Sequence, residues 1–307
     1  MYDILVAGEI NVDLILTGER VRPDFGHERL VRDATLALGS SSVIFACGAA
    51  RLGLRVAFRG VAGADALGDF MLAGMAEKGV DVSHVERVRG RKTGITVSLS
   101  EPGDRAMLTY PGTIADLAAE GVPDSLLAQA RHLHVSSAFL QEGLLPGLAG
   151  LLRRAKAQGC STSLDTGWDP AERWNGYLHE ALEQVDVFLP NEEEAPRIAA
   201  AATPEEALEV LARRTPVVAL KLGSRGAIAA AGSERAACGP FRVTPVDTTG
   251  AGDSFDSGFI YGYLKRWSLD HALRLACACG ALSTRAAGGT GSQATLAEAL
   301  ALVDGAG

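Results

Sequence analysis

Asp247-Thr248-Thr249-Gly250-Ala251-Gly252-Asp253-Ser254-Phe255 leads into DSGFIYGYLKRW, a stretch with the length and apolar content of a helix. Glycines just ahead of a helix let the backbone come close to a ligand. The unpaired N–H groups and the dipole at the helix start then favour an anion. Asp253 follows Gly-Ala-Gly directly, so a phosphate and a carboxylate would share one site. Phosphoryl transfer needs that pairing, with N–H donors for the migrating charge and a proton acceptor for the attacking hydroxyl. Taken alone, Gly-x-Gly-Asp before a helix is a weak signal, because many loops contain it and an acid there is usually a plain helix-start residue.

Upstream, short apolar runs alternate with helix-like stretches. Tyr2 to Ala7, Val56 to Val61, His132 to Ser136, Ser161 to Leu164, Val185 to Leu189 and Val217 to Leu222 read as strands. Val80 to Val85 is a further short apolar run. Ser42 to Leu52, Leu67 to Lys78, Leu144 to Gln158 and Pro204 to Arg213 read as helices, the last with Thr203 as its N-cap. Such alternation predicts a largely parallel sheet covered on both faces. Two regions break it. Val12 to Leu38 shows no helix, and TGITVSLS-EPGD-RAMLTY (Thr93 to Tyr110) reads as strand, turn, strand. Strands without helices inside an α/β chain suggest a small sheet projecting over the strand ends, where it could serve as a lid. The plain alternative is a surface hairpin with no role.

The 307 residues suit one large α/β domain, and 47% hydrophobic content supports a sizeable core. A net charge of −8 disfavours nucleic acid, because no basic stripe offsets it. The N-terminus lacks the basic and apolar regions of a signal peptide, and no apolar run reaches the roughly 18 residues of a membrane span. The five cysteines are odd in number and scattered, as expected of free thiols in the cytoplasm. Cys277 and Cys279 sit two apart in a helical stretch, do not share a face, and have no partner set for a metal.

Read whole, the nine-residue string resembles the signature of the PfkB/ribokinase family of carbohydrate kinases. Other segments agree in order. GEINVD (Gly8 to Asp13) is similar to the family's first strand and acidic turn, GVAGADALGDF (Gly60 to Phe70) with KGVD to its second unit, and PNEEEA to its Asn-x-x-Glu motif at Asn191 and Glu194. LKLGSRGA (Leu220 to Ala227) is similar to its nucleotide loop. The resemblance spans nearly the whole chain. It implies a single ribokinase-like domain over residues 1–307, a Rossmann-like, mostly parallel sheet with helices on both faces. Lid strands over roughly 12–38 and 93–112 are inserted in that core.

The resemblance also implies roles. Asp253 would deprotonate the acceptor hydroxyl, with the N–H groups of Gly250, Ala251, Gly252 and Asp253 as the anion hole. Asn191 and Glu194 would organise Mg²⁺ and phosphates through water. Lys221, Gly223, Ser224, Gly226 and Cys277 would line ATP, and Asp247 and Thr249 would help hold a monovalent cation, K⁺. Asn11, Asp13, Gly39, Ser40, Ser41 and Gln141 would contact the sugar. Asp165 and Asp169 follow a strand end, where ligands gather, and either could be only a turn former. The lid sheet is a natural dimer surface.

The match departs at three places. Ile44 falls where the family carries a sugar-contacting Asn, and Ile cannot hydrogen-bond. Ser40, Ser41 and Ser42 could replace that contact or simply cap the helix that follows. Lys221 stands where Thr is frequent and either reaches a phosphate or points to solvent, and Cys277 stands near the adenine where Asn is frequent. The reaction class expected is transfer of phosphate from ATP to a hydroxyl of a pentose, hexose or sugar acid. A nucleoside kinase of the same family and a non-catalytic sugar or nucleotide sensor are the alternatives. An NAD-dependent oxidoreductase is disfavoured because no Gly-x-Gly-x-x-Gly follows the first strand, and a P-loop kinase because its motif is absent.

Overall fold

The computed structural model describes residues 1–101, 104–174 and 176–305. Its strands, in chain order, are β1 (Ile4–Ala7), β2 (Asn11–Thr17), β3 (Asp33–Leu38), β4 (Val56–Arg59) and β5 (Val61–Gly63). There follow β6 (Val80–Asp81), β7 (Glu86–Val88), β8 (Gly94–Glu101), β9 (Asp104–Tyr110) and β10 (His132–Val135). The last are β11 (Ser161–Leu164), β12 (Val187–Phe188), β13 (Val217–Lys221), β14 (Ala227–Ala231) and β15 (Glu234–Cys238).

Among the described residues the main sheet has nine strands in the order β15-β14-β13-β12-β11-β10-β1-β4-β6. Pairing is parallel from β6 to β13, and β14 and β15 close one edge antiparallel. Side chains alternate across a strand, and here the alternation sorts the core into two. Ile4, Val6, Val56, Phe58, Val187 and Ala219 pack with the helices Ser41–Arg51, Ala66–Glu77, Ala251–Leu264 and Leu269–Ser283. Leu5, Ala7, Leu133, Val135, Leu164 and Val218 pack with the helices Leu148–Ala157, Tyr177–Leu182 and Pro204–Leu211. Both faces are therefore covered, as the apolar runs predict.

Several boundaries differ from the sequence reading, among them Val185 to Leu189, which keeps only Val187–Phe188, and three have a local cause. Val56 to Val61 is not one strand. It breaks at Gly60, where a Cβ would lie 2.6 Å from the Gly8 carbonyl, and β5 pairs with β7 instead of the main sheet. The helix expected from Leu144 begins at Leu148, because Leu145–Gly147 forms a 3-10 turn containing a proline. Val80 to Val85 keeps only two strand residues, since Asp81 accepts the Ser83 N–H (2.9 Å) and turns the chain. The Thr203 cap stands, its hydroxyl accepting from Glu206 N at 3.1 Å.

The helix-free regions make a second sheet, β3-β2-β8-β9. The turn residues Pro102 and Gly103 of the expected hairpin lie outside the described residues. Register separates this sheet's faces. One carries the rows Leu38, Val12, Ile95, Tyr110 and Leu36, Leu14, Val97, Leu108. The other carries Ala37, Asp13, Thr96, Thr109 and, further along, Ser98, Ser100 and Arg105. The polar face is the one turned to the strand ends, because Arg105 Nη1 donates to Thr249 Oγ1 at 3.0 Å.

Candidate active site

Asp247 shapes the approach to the helix Ala251–Leu264. Its Oδ1 accepts from Thr249 N (2.9 Å) and Thr249 Oγ1 (2.7 Å), and its Oδ2 accepts from Gly288 N (2.9 Å). Burial would raise this carboxyl, but the Gly288 and Thr249 donors outweigh it and hold it below its ordinary range. Gly250 then turns left-handed at φ 72°, and a Cβ there would lie 2.7 Å from Gly289 Cα. Only glycine fits, and glycine brings no capping side chain. The Ala251 N–H bonds back to the Thr248 carbonyl (3.3 Å), and the Gly252 and Asp253 N–H groups, with no side-chain cap, face an anion position at the positive end of a 14-residue helix.

Asp253 stands in that first turn, half-buried, and Ser41 lines the same cleft. Burial, and next the charge of Asp165, push its carboxyl up to about 8, against the pull of Lys221. Asp165 comes from the end of β11 and Asp256 from the next turn of the Asp253 helix. Oxygens of the three carboxyls lie within 4.8 Å of one another. Lys221, at the end of β13, reaches into this group. Its Nζ is 2.7 Å from Asp165 Oδ2 and 3.0 and 3.1 Å from the two oxygens of Asp256. The solvent-pointing reading of Lys221 is thus corrected, since an ammonium between two buried acids gains more than it would in water. Burial would raise Asp165, yet Lys221 outweighs it and holds the carboxyl at about 2, while burial drives Asp256 well above its ordinary range.

On the sheet side, Asn11 Nδ2 donates to Asp13 Oδ1 (3.2 Å) and to Thr96 Oγ1 (3.3 Å). A Cβ on Gly39 would fall 2.2 Å from Asp13 Oδ1, so the acid lies flat against the backbone there. Burial, and then the charge of Asp247, push Asp13 up to about 6, with Arg105 acting the other way. The serines divide their work. Ser40 caps the helix by accepting from Val43 N (3.1 Å) and donates to the Glu9 carbonyl (2.7 Å). Ser42 is fully buried on Glu9, while Ser41 faces the cleft. Gln141 is also fully buried, its Nε2 on the Ser136 carbonyl (2.7 Å), and stands outside the cleft lining. Asp169 accepts from Ala171, Arg173 and Trp174 N–H groups, which makes it a loop former.

On the far side, Asn191 and Glu194 interlock. Asn191 Nδ2 and N donate to Glu194 (2.7 and 3.0 Å), and Asn191 Oδ1 accepts from Glu193 N and Glu194 N. Burial, and then Asp165, push Glu194 up to about 7. Gly226 is held at φ 92°, and a Cβ there would lie 2.0 Å from the Cys238 carbonyl. A cleft of about 780 Å³ opens beside these residues, and Asn11, Asp13, Asp247 and Thr249 are outside its lining. Asn191, Glu194, Lys221, Gly223, Ser224 and Gly226 border it, with Gly252 and Asp253 at its inner end and Phe241, Val243, Cys277 and Ala281 as an apolar wall. That division suits a nucleotide, with its base against the wall and its phosphates at the turn.

Glu9, Arg105 and Asp256 are site groups that motif reading missed. Asp256 was the findable one, because three residues on from Asp253 in a helix is the same face. Glu9 and Arg105 had no local signal, since each acts across more than 30 residues of chain.

Fold and site together define an α/β phosphotransferase. The chain matches the model of the pfkB family carbohydrate kinases over residues 1–296. An uncharacterized sugar kinase of Archaeoglobus fulgidus is 32% identical over 228 residues, 74% of this chain and 90% of its own. An ATP-dependent ribose-1-phosphate kinase of Halopiger xanaduensis is 30% identical over 286 residues, 92% of each chain. The structure of Arabidopsis thaliana ribokinase complexed with ribose and ATP superposes with a TM-score of 0.84 at 22% identity, covering 98% of both chains. The chain belongs to the pfkB family of carbohydrate kinases. Among the described residues, no helix is long and apolar enough to cross a membrane.

Proposed function

We propose that the enzyme transfers the γ-phosphoryl group of ATP to a hydroxyl of a small sugar, a pentose, hexose or sugar acid, with Asp253 as general base. The observation that carries this is the position of Asp253, in an uncapped helix start at the inner end of a nucleotide-sized cleft. Asp253 accepts the hydroxyl proton as that oxygen attacks in line. The N–H groups of Gly250, Gly252 and Asp253 meet the charge that develops on the transferred group, and Ala251 joins them once its N–H leaves the Thr248 carbonyl. Ser41, in the same cleft, favours the charged carboxylate. Asn11, Asp13 and the polar face of the small sheet grip the remaining hydroxyls, and that sheet acts as a lid. Gly39 and Ser40 shape this subsite through the backbone, whereas Gln141, fully buried on the Ser136 carbonyl, does not reach the sugar as the resemblance implied.

Asn191 and Glu194 fit a water-mediated Mg²⁺ site, because a buried carboxyl driven up to about 7 gains by a nearby cation. Mg²⁺ there supplies charge neutralisation to the phosphates. Asp247 and Thr249 are the donors for K⁺. Gly223, Ser224, Gly226 and Cys277 serve the nucleotide, while the Lys221 ammonium is turned to Asp165 and Asp256. The apolar outer face of the lid is the surface for a homodimer, and the buried free thiols fit the cytoplasm.

The test is ADP release over pentoses, hexoses, sugar acids and nucleosides, with and without K⁺. Asp253→Asn should fold and lose turnover by ~10²–10⁴-fold, the range for a lost general base. Near-full turnover in that variant removes Asp253 from the role, and phosphorylation of nucleosides alone moves the acceptor class.

A further inference from the structure

Asp165, Asp253 and Asp256 arrive from two elements and crowd their oxygens within 4.8 Å. Three carboxylates so close, and largely out of water, cannot all be ionised without a compensating cation. Lys221 is that cation. Its side chain is only 11% exposed, against 9% for Asp165 and 0% for Asp256. Its ammonium contacts both acids and lies beside the anion-hole turn, where a Cβ on Gly252 would be 3.8 Å from Nζ. An ammonium is a compact point charge with three donors, suited to serve two acids at once.

We propose that Lys221 is a positioning residue of the phosphoryl-transfer centre, a built-in counter-cation that lets these three acids stand together and eases the loss of the Asp253 proton, so that the proton-accepting form is reached nearer neutral pH. This rests on the reading of Asp253 as the base. The charged groups facing Asp253 are Asp165 at the end of β11, Lys221 on β13, Glu9 after β1, and Asp256 on its own helix. Lys221 is the positive member of that set. Its removal therefore acts on Asp253 in one direction, toward holding the proton.

The experiment needs no acceptor. The full chain, labelled at the aspartate side-chain carboxyl carbon, is titrated by ¹³C NMR, with Asp253→Asn identifying the Asp253 resonance. Lys221→Met should move the Asp253 midpoint up by more than one pH unit, while Lys221→Arg leaves it near the wild-type value. If Lys221→Met does not fold, Lys221→Met/Asp256→Asn, which removes one partner of each sign, is read in its place with the same expectation. An unmoved midpoint in the Met variant overturns the proposal, as does an equal shift in the Arg variant. Failure of both Met variants to fold also overturns it, by assigning Lys221 to stability alone. In turnover, Lys221→Met should lower kcat at neutral pH by at least tenfold with KM for ATP within about threefold. A change confined to KM would make Lys221 a phosphate ligand instead. Failure of the base assignment looks different: Asp253→Asn would keep its turnover whatever the Lys221 titrations show.

Discussion

Asp253 is kept at a cost that should be visible in stability. Its carboxyl is driven up to about 8, first by burial. Between the ordinary Asp value of about 4 and that point, the native protein holds a proton that the unfolded chain releases. Its contribution to stability therefore falls as pH rises across the window. Asp253→Asn removes this term, so the variant's Tm should exceed wild type by a wider margin at pH 8 than at pH 5. For a chain of this size each kcal/mol recovered is roughly 2–4 °C. A margin that does not change with pH would contradict the burial argument. Ile44 poses the opposite case. It is 3% exposed and packs beneath the turn, close enough that a Cβ on Gly289 would lie 2.3 Å from its Cδ1. Restoring the amide by Ile44→Asn should bury an unsatisfied group and cost about 1–3 kcal/mol in urea unfolding. An unchanged urea midpoint would mean the pocket is open there.

Among the elements, β10 looks like an ordinary buried strand in the sequence and is not one. His132 bridges Ser161 and Ser163 (2.7 Å each), and His134 bridges Ser163 (2.7 Å) and Ser136 (2.6 Å). His134 also stacks on Phe45 with centroids 3.5 Å apart. Burial pushes His132 down to about 3 and His134 well below its ordinary value, so both stay neutral in the fold. The unfolded chain takes protons below about 6.5, so this ladder's stabilising share is present above that pH and lost as pH falls. Comparing wild type with His132→Asn from pH 7.5 to 5, the stability difference should shrink on the acid side. A constant difference would mean the imidazoles do not titrate on unfolding. Strand and helix existence was legible because burial on both faces writes itself as continuous apolar runs. The Ser-His ladder was not, because two of its three serines, Ser161 and Ser163, sit on β11 and meet the imidazoles only in parallel register.

For the whole molecule, the open question is what covers the small sheet. Its cleft-facing side is mostly polar, with Met107 60% exposed and Ile15 among the hydroxyls, while its outer side leaves Leu36 44%, Tyr110 51% and Leu108 64% exposed. A dimer through that face predicts a wild-type dimer in sedimentation and a monomer for Leu108→Glu. A wild-type monomer at micromolar concentration would end that reading. The sequence by itself determined the α/β plan, the helix start at Gly250 and the acid at Asp253, because each depends on neighbours within a few residues: apolar periodicity, backbone freedom, a carboxylate one turn in. Only the tertiary structure decided which charges share the reaction centre. Lys221 and Asp165 are 56 residues apart and Lys221 and Asp256 are 35 apart, and parallel crossovers bring them together. Coulomb energy depends on distance and on the surrounding medium, and chain order encodes neither until the sheet has closed.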